Sequence, residues 1–97
     1  MHVIKRLTLS QYWDVHPDVE DELKAWFYEA KHANWKTPNE IKQRYSSADF
    51  LRDNRVVFNI KGNHYRLIVR INYASGTVFV LFIGTHAEYD KIDAEKI

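Results

Sequence analysis

The chain has no cysteine among its 97 residues, which excludes disulfide cross-links, thiolate catalysis and cysteine-ligated zinc. Only three glycines and two prolines are present. No linker of either kind divides the sequence, and no internal repeat or low-complexity tract does so. No apolar run approaches the roughly 20 residues that a membrane span needs, and the opening MHVIKRLTLSQYW lacks the apolar core of a secretory signal. The expectation is one domain over residues 1–97, cytoplasmic and without a membrane partner. What is present is ordinary for a folded domain, 45% apolar and 28% charged, so disorder is excluded.

A net charge of +1 conceals an uneven distribution. Residues 1–35 carry four basic and six acidic side chains, residues 36–70 eight and three, and residues 71–97 two and four. The middle third is therefore basic, net +5, between two acidic thirds of −2 each. Such an excess suits an anionic partner such as RNA, but a solvated charged surface explains it equally well.

Periodicity divides the chain into an early helical part and a late β part. HVIKR opens as a short strand, and Thr8 with Gln11 predicts a capped first helix that runs to His16. From Asp18, residues Val19, Leu23, Trp26, Phe27 and Ala30 form one helical stripe. Thr37-Pro38-Asn39-Glu40 predicts a third helix over Pro38 to Tyr45. After Leu51 the period becomes two. RVVFNI, YRLIVRINY and TVFVLFI read as three strands joined by KGNH and ASG turns, an antiparallel meander. The last strand is apolar at successive positions, which predicts a central place with both faces covered. The fold class is α+β, with helices packed on one face of a small antiparallel sheet.

Alternation in YRLIVRINY assigns Tyr65, Leu67, Val69, Ile71 and Tyr73 to the core. His64, Arg66, Ile68, Arg70 and Asn72 go to the opposite face, where the commonest explanation for polar residues is simply the wet side of a sheet. Directly after the last strand, Thr85 and Glu88 form a second capping box, so a final helix should start at His86. Tyr89 at i+3 and Asp90 at i+4 then share its face, and the free amides of the helix start would welcome a phosphate. Taken alone, His86 fits a surface histidine near a cap, and Tyr89 a ring packed on the sheet.

These residues also carry a resemblance. HPDVEDELKAWFYEAKHANWKTPNEIKQRY, NRVVFNIKGNHYRLIVRINY and VFVLFIGTHAEYDKIDAEKI are similar to the HigB-type toxins of toxin–antitoxin systems, a branch of the RelE-like superfamily. Val57-Phe58-Asn59, Gly62-Asn63, Tyr65-Arg66 and Thr85-His86-x-x-Tyr89-Asp90 keep the family's order and spacing, and the resemblance covers nearly the whole chain. It implies a RelE-like fold with a short C-terminal helix. It also implies a ribosome-dependent endonuclease acting on mRNA in the ribosomal A site, inhibited by a HigA-like helix-turn-helix antitoxin with which it represses its own operon. In that chemistry the RNA 2′-OH attacks the adjacent phosphate without metal or cofactor. Arg66 would clamp the phosphate, while His86 and Tyr89 would carry protons, with acid and base unassigned between them. Lys61, His64, Arg70 and Asn72 would hold RNA, whereas Asn59 and Asn63 fit turn and ladder geometry. The rival expectation is a non-catalytic RNA- or ribosome-binding module, since the same cations serve binders.

Overall fold

The computed structural model describes residues 1–97. A first strand, β1 (His2–Ile4), passes directly into helix α1 (Arg6–Val15) through Lys5, which has a left-handed backbone (φ 65°). Here the predicted cap is corrected. Thr8 lies inside the first turn, where its amide donates to the Lys5 carbonyl, because the abrupt turn after Ile4 starts the helix early. A 3₁₀ turn over Pro17–Val19 precedes α2 (Glu20–His32), whose first turn collects Glu20, Asp21 and Glu22 at the positive end of the helix dipole. Helix α3 (Pro38–Arg44) starts as predicted: the Glu40 amide donates to the Thr37 hydroxyl. The Glu40 carboxylate accepts from the Lys36 amide rather than from that of Thr37.

The β part begins with a strand that periodicity does not reveal. β2 (Asp49–Leu51) pairs with β3 (Arg55–Ile60) through a tight turn in which Asp53 and Asn54 both have positive φ (59° and 58°). Asp and Asn tolerate that conformation better than other non-glycine residues. β4 (Tyr65–Asn72) and β5 (Thr77–Thr85) complete the predicted meander, and the one-turn helix α4 (His86–Tyr89) follows. The order is β1-β5-β4-β3-β2. β1 runs parallel to β5, so the sheet is mixed, and β4 rather than β5 is its middle strand.

Helices α1 to α3 cover one face. Leu9, Trp13, Val19, Leu23, Trp26, Ala30 and Ile41 pack there against Val56, Phe58, Leu67, Val69, Ile71, Val78 and Val80. Phe58, fully buried, meets Trp26 and Tyr45 edge-on with ring centroids 5.5 and 5.0 Å apart and lies parallel to Trp35 at 6.3 Å. Such pairs contribute about 0.5–1.5 kcal/mol each beyond burial.

The second face is neither wet nor covered throughout. Ile68, assigned by alternation to the polar side, is fully buried there, in register with Val57 on one neighbour and Phe82 on the other. A bulge shifts the pairing between Ile68 and Val69, so that Ile68 faces Phe82 and Val69 faces Val80. Phe79 stays 39% exposed, which corrects the expectation that β5 has both faces covered. The chain after α4 returns along the β2–β3 side of this face. Arg52 pairs with Glu95 (3.2 Å), and the Arg55 guanidinium donates to the Ile97 main-chain oxygen (2.7 Å).

Candidate functional site

A helix of four residues has too few internal hydrogen bonds to persist by itself, so its surroundings must hold α4 in place. The predicted capping box is present: the Thr85 amide donates to the Glu88 carboxylate (2.7 Å), and the Glu88 amide to the Thr85 hydroxyl (3.1 Å). The same carboxylate accepts from the Tyr12 hydroxyl of α1 (3.0 Å), and the His86 amide donates to the His64 carbonyl in the β3–β4 turn (3.0 Å). Gly84 permits the close approach beneath. A Cβ there would lie 2.5 Å from the Phe82 ring and 3.2 Å from the Glu88 Cβ. The His86 and Glu88 amides at the helix start already have partners, so these two are not free to receive a phosphate.

What α4 presents instead is its side chains. The Arg66 guanidinium of β4 lies over the Tyr89 ring, 5.8 Å from its centroid, and donates to the Asn63 carbonyl (3.1 Å). The turn carbonyl and the ring thus orient a half-buried cation. Nδ1 of His86 is 3.1 Å from the Asp90 carboxylate. An ionised carboxylate only accepts, so in the neutral imidazole this contact favours the tautomer with the proton on Nδ1 and Nε2 as the acceptor. His86 borders a cleft of about 430 Å³ together with Lys61, Asn63, His64 and Asp18.

Beneath this cleft runs a polar network that joins the sheet to the helical layer. The Tyr65 hydroxyl donates to Asp18 (2.6 Å), and the Lys61 ammonium donates to the Asp18 carbonyl (2.8 Å) while lying 3.6 Å from its carboxylate. The hydrogen bond from Tyr65, helped by the Lys61 charge, holds the Asp18 carboxyl below its ordinary range, and Asp18 in turn pushes the Tyr65 phenol up to about 12. Burial and the Glu88 carboxylate raise the Tyr12 phenol further, and its ring stacks on His16 at 4.3 Å. The Thr85 amide, with Tyr12 behind it, holds Glu88 below the ordinary carboxylate range.

Of the residues singled out in the sequence, Arg66 meets Tyr89, whereas His86 borders a cleft with His64 and Lys61 that neither Arg66 nor Tyr89 lines. Lys61 is engaged by Asp18 and has a left-handed backbone (φ 54°) just before Gly62. Arg70 and Asn72 border a separate cleft of about 410 Å³ at the opposite end of β4. Asn59 donates to the Ser47 carbonyl (3.1 Å) and Asn63 supplies the carbonyl that orients Arg66, both structural tasks. Sequence reasoning did not find Tyr12, His16 or Asp18. A Tyr-x-x-x-His pair on one helical face was the available signal, but nothing in the sequence places it under a helix 76 residues away.

Helices on one side of a mixed sheet, with cations and aromatic rings on the other, make this a RelE-like α+β domain. Residues 19–92 match the model of a family described as the HigB toxin, RelE-like toxic component of a toxin-antitoxin system. The mRNA interferase HigB of Escherichia coli O6:H1 is 29% identical over 94 residues, 95% of this chain and 91% of that protein. The mRNA interferase HigB of Shigella flexneri is 28% identical over 92 residues, 93% and 88% of the two chains. The chain belongs to the HigB toxin family.

Proposed function

We propose that this protein is the toxin of a toxin–antitoxin pair, an endoribonuclease that cuts mRNA in the A site of the cytoplasmic ribosome and is neutralised by a HigA-like helix-turn-helix antitoxin. The observation that carries the reading is the unpaired Arg66 guanidinium over the ring of Tyr89, which shares the one-turn helix α4 with His86 and its partner Asp90 at the helix end. RNA can be cut without an external nucleophile. The 2′-oxygen attacks its own phosphorus, the 5′-oxygen of the next nucleotide leaves, and a 2′,3′-cyclic phosphate results. This requires a proton acceptor, a cation on the phosphate and a proton donor.

In this reading, Nε2 of His86 takes the 2′-OH proton, its ring held by Asp90. The Arg66 guanidinium binds the phosphate oxygens through paired N–H groups as negative charge builds up. The Tyr89 hydroxyl gives its proton to the leaving 5′-oxygen. His64 and Lys61 border the approach, and positioning on the ribosome supplies the orientation that a free strand lacks.

The test is to add purified protein to programmed ribosomes and map message ends by primer extension. A break in the A-site codon is expected, together with growth arrest when the protein is expressed without a partner. Intact message with the wild-type protein would overturn the nuclease and favour a binding module on RNA or the ribosome.

A further inference from the structure

The cleft at the opposite end of β4 has no part in the chemistry above. It lies on the open half of the second face and is bordered by Lys5, Arg70, Asn72, Phe79 and Leu81, with no acidic side chain among its lining residues. Phe79 shows 39% of its surface to solvent, although its neighbours Val78 and Val80 are buried. Lys5 and Arg70 take part in no ion pair, whereas Arg52, Arg55 and Lys61 do.

Register sharpens this contrast. Arg70 sits directly opposite Arg55 across β3–β4. Like charges in that position repel and weaken the sheet. Arg55 is accommodated by Asp53 (3.6 Å) and the Ile97 main-chain oxygen, but nothing in the fold offsets Arg70. An unpaired guanidinium kept beside another one, and in register with a partly exposed ring, is arranged for an anion joined to a flat apolar group.

We propose that this groove is a nucleotide subsite, in which one base of single-stranded RNA stacks on Phe79 while Arg70 and Lys5 hold the flanking phosphates. The inference rests on the nuclease reading for its choice of polymer. Arg66 and Arg70 are four residues apart on one face of β4, about 13 Å along the strand. A message with its scissile phosphate at Arg66 therefore continues over Phe79 after a short step along the chain. Stacking on an aromatic ring accepts any base, so the groove contributes grip and register rather than sequence choice.

The experiment measures equilibrium binding of a short single-stranded RNA, 2′-O-methylated throughout so that it cannot be cut, with a single abasic position moved along it. In the wild-type protein one abasic position should weaken binding about tenfold, the scale of one lost stacking contact. That penalty should vanish in Phe79→Leu, which keeps apolar bulk without a flat ring, and return in Phe79→Trp. Arg70→Gln and Lys5→Gln should each reduce the slope of log affinity against log salt by about one.

An abasic penalty that persists in Phe79→Leu, unchanged salt slopes, or no measurable RNA affinity at low salt would overturn the subsite. So would a Phe79→Leu protein that keeps its RNA affinity but loses a protein partner. Cleavage of A-site message by the wild-type protein alongside any of these results leaves the nuclease standing and removes the subsite alone. A Phe79-dependent abasic penalty together with intact message does the reverse.

Discussion

At the scale of the residue, Arg66 stands out by what it lacks as much as by what it touches. Its contacts are a carbonyl and an aromatic ring, with no carboxylate to neutralise it, so its charge remains available to a ligand. Lys61, only five positions earlier, is paired with Asp18 and contributes to the fold at some cost to its freedom to bind RNA. Arg66→Ala should lower cleavage about 100-fold with the fold intact, as expected when a contact made mainly in the transition state is lost. Primer extension on programmed ribosomes measures it, and an unchanged rate would remove Arg66 from the mechanism. His86→Gln and Tyr89→Phe should each reduce cleavage more than ribosome binding, because their roles concern protons in flight. Equal losses in cleavage and in a ribosome co-sedimentation assay would show that these groups position the substrate instead.

At the scale of the element, α4 is one turn of helix that carries two of the three proposed catalytic side chains. Its placement depends on partners elsewhere: Tyr12 on α1, His64 in the turn, and the space that Gly84 leaves open. Gly84→Ala should force the Phe82 ring and α4 apart, a crowding that costs on the order of 1–3 kcal/mol. We expect cleavage to fall at least about tenfold, while circular dichroism shows the helices and sheet preserved and a Tm lowered by roughly 4–8 °C per kcal/mol. Normal cleavage in this variant would mean that α4 tolerates displacement. The capping box behind this geometry was legible, because Thr85 and Glu88 are three residues apart. That its first amide is already taken was not, since the His64 carbonyl reaches His86 from another element.

At the scale of the whole molecule, the polar network ties the helical layer to the sheet and sets a pH window. Asp18 and Glu88 in that network, and Glu29 of α2, which accepts from Tyr45 and Arg44 at the end of α3, are all held below the ordinary carboxylate range, in each case chiefly by a hydrogen bond. Folding thus favours their ionised forms. Their contribution is complete above about pH 4.3 and is lost as pH falls through the depressed native values. The Tyr12 and Tyr65 phenols are raised, so their contribution is complete below about pH 10 and is lost at higher pH. Thermal unfolding followed by fluorescence should show a plateau between these limits and a fall on the acid side. The acid slope should be shallower in Glu88→Gln, and an identical slope would remove Glu88 from the linkage.

The amino-acid sequence alone determined the elements whose cause is local. The stripe from Val19 to Ala30, the Thr37 cap and the alternation in β3 and β4 depend on residues a few positions apart, where helix and strand periods act directly. Tertiary structure decided everything that depends on register or on a distant partner. It added β1 beside β5, buried Ile68 on the supposed polar face, paired Arg70 with Arg55 and left Phe79 in the open. It also brought Arg66 to Tyr89 and fastened α4 to Tyr12. The physical reason is that spacing along a chain specifies which way a side chain points, whereas what it meets there is chosen only when separate elements compete to bury the same surface.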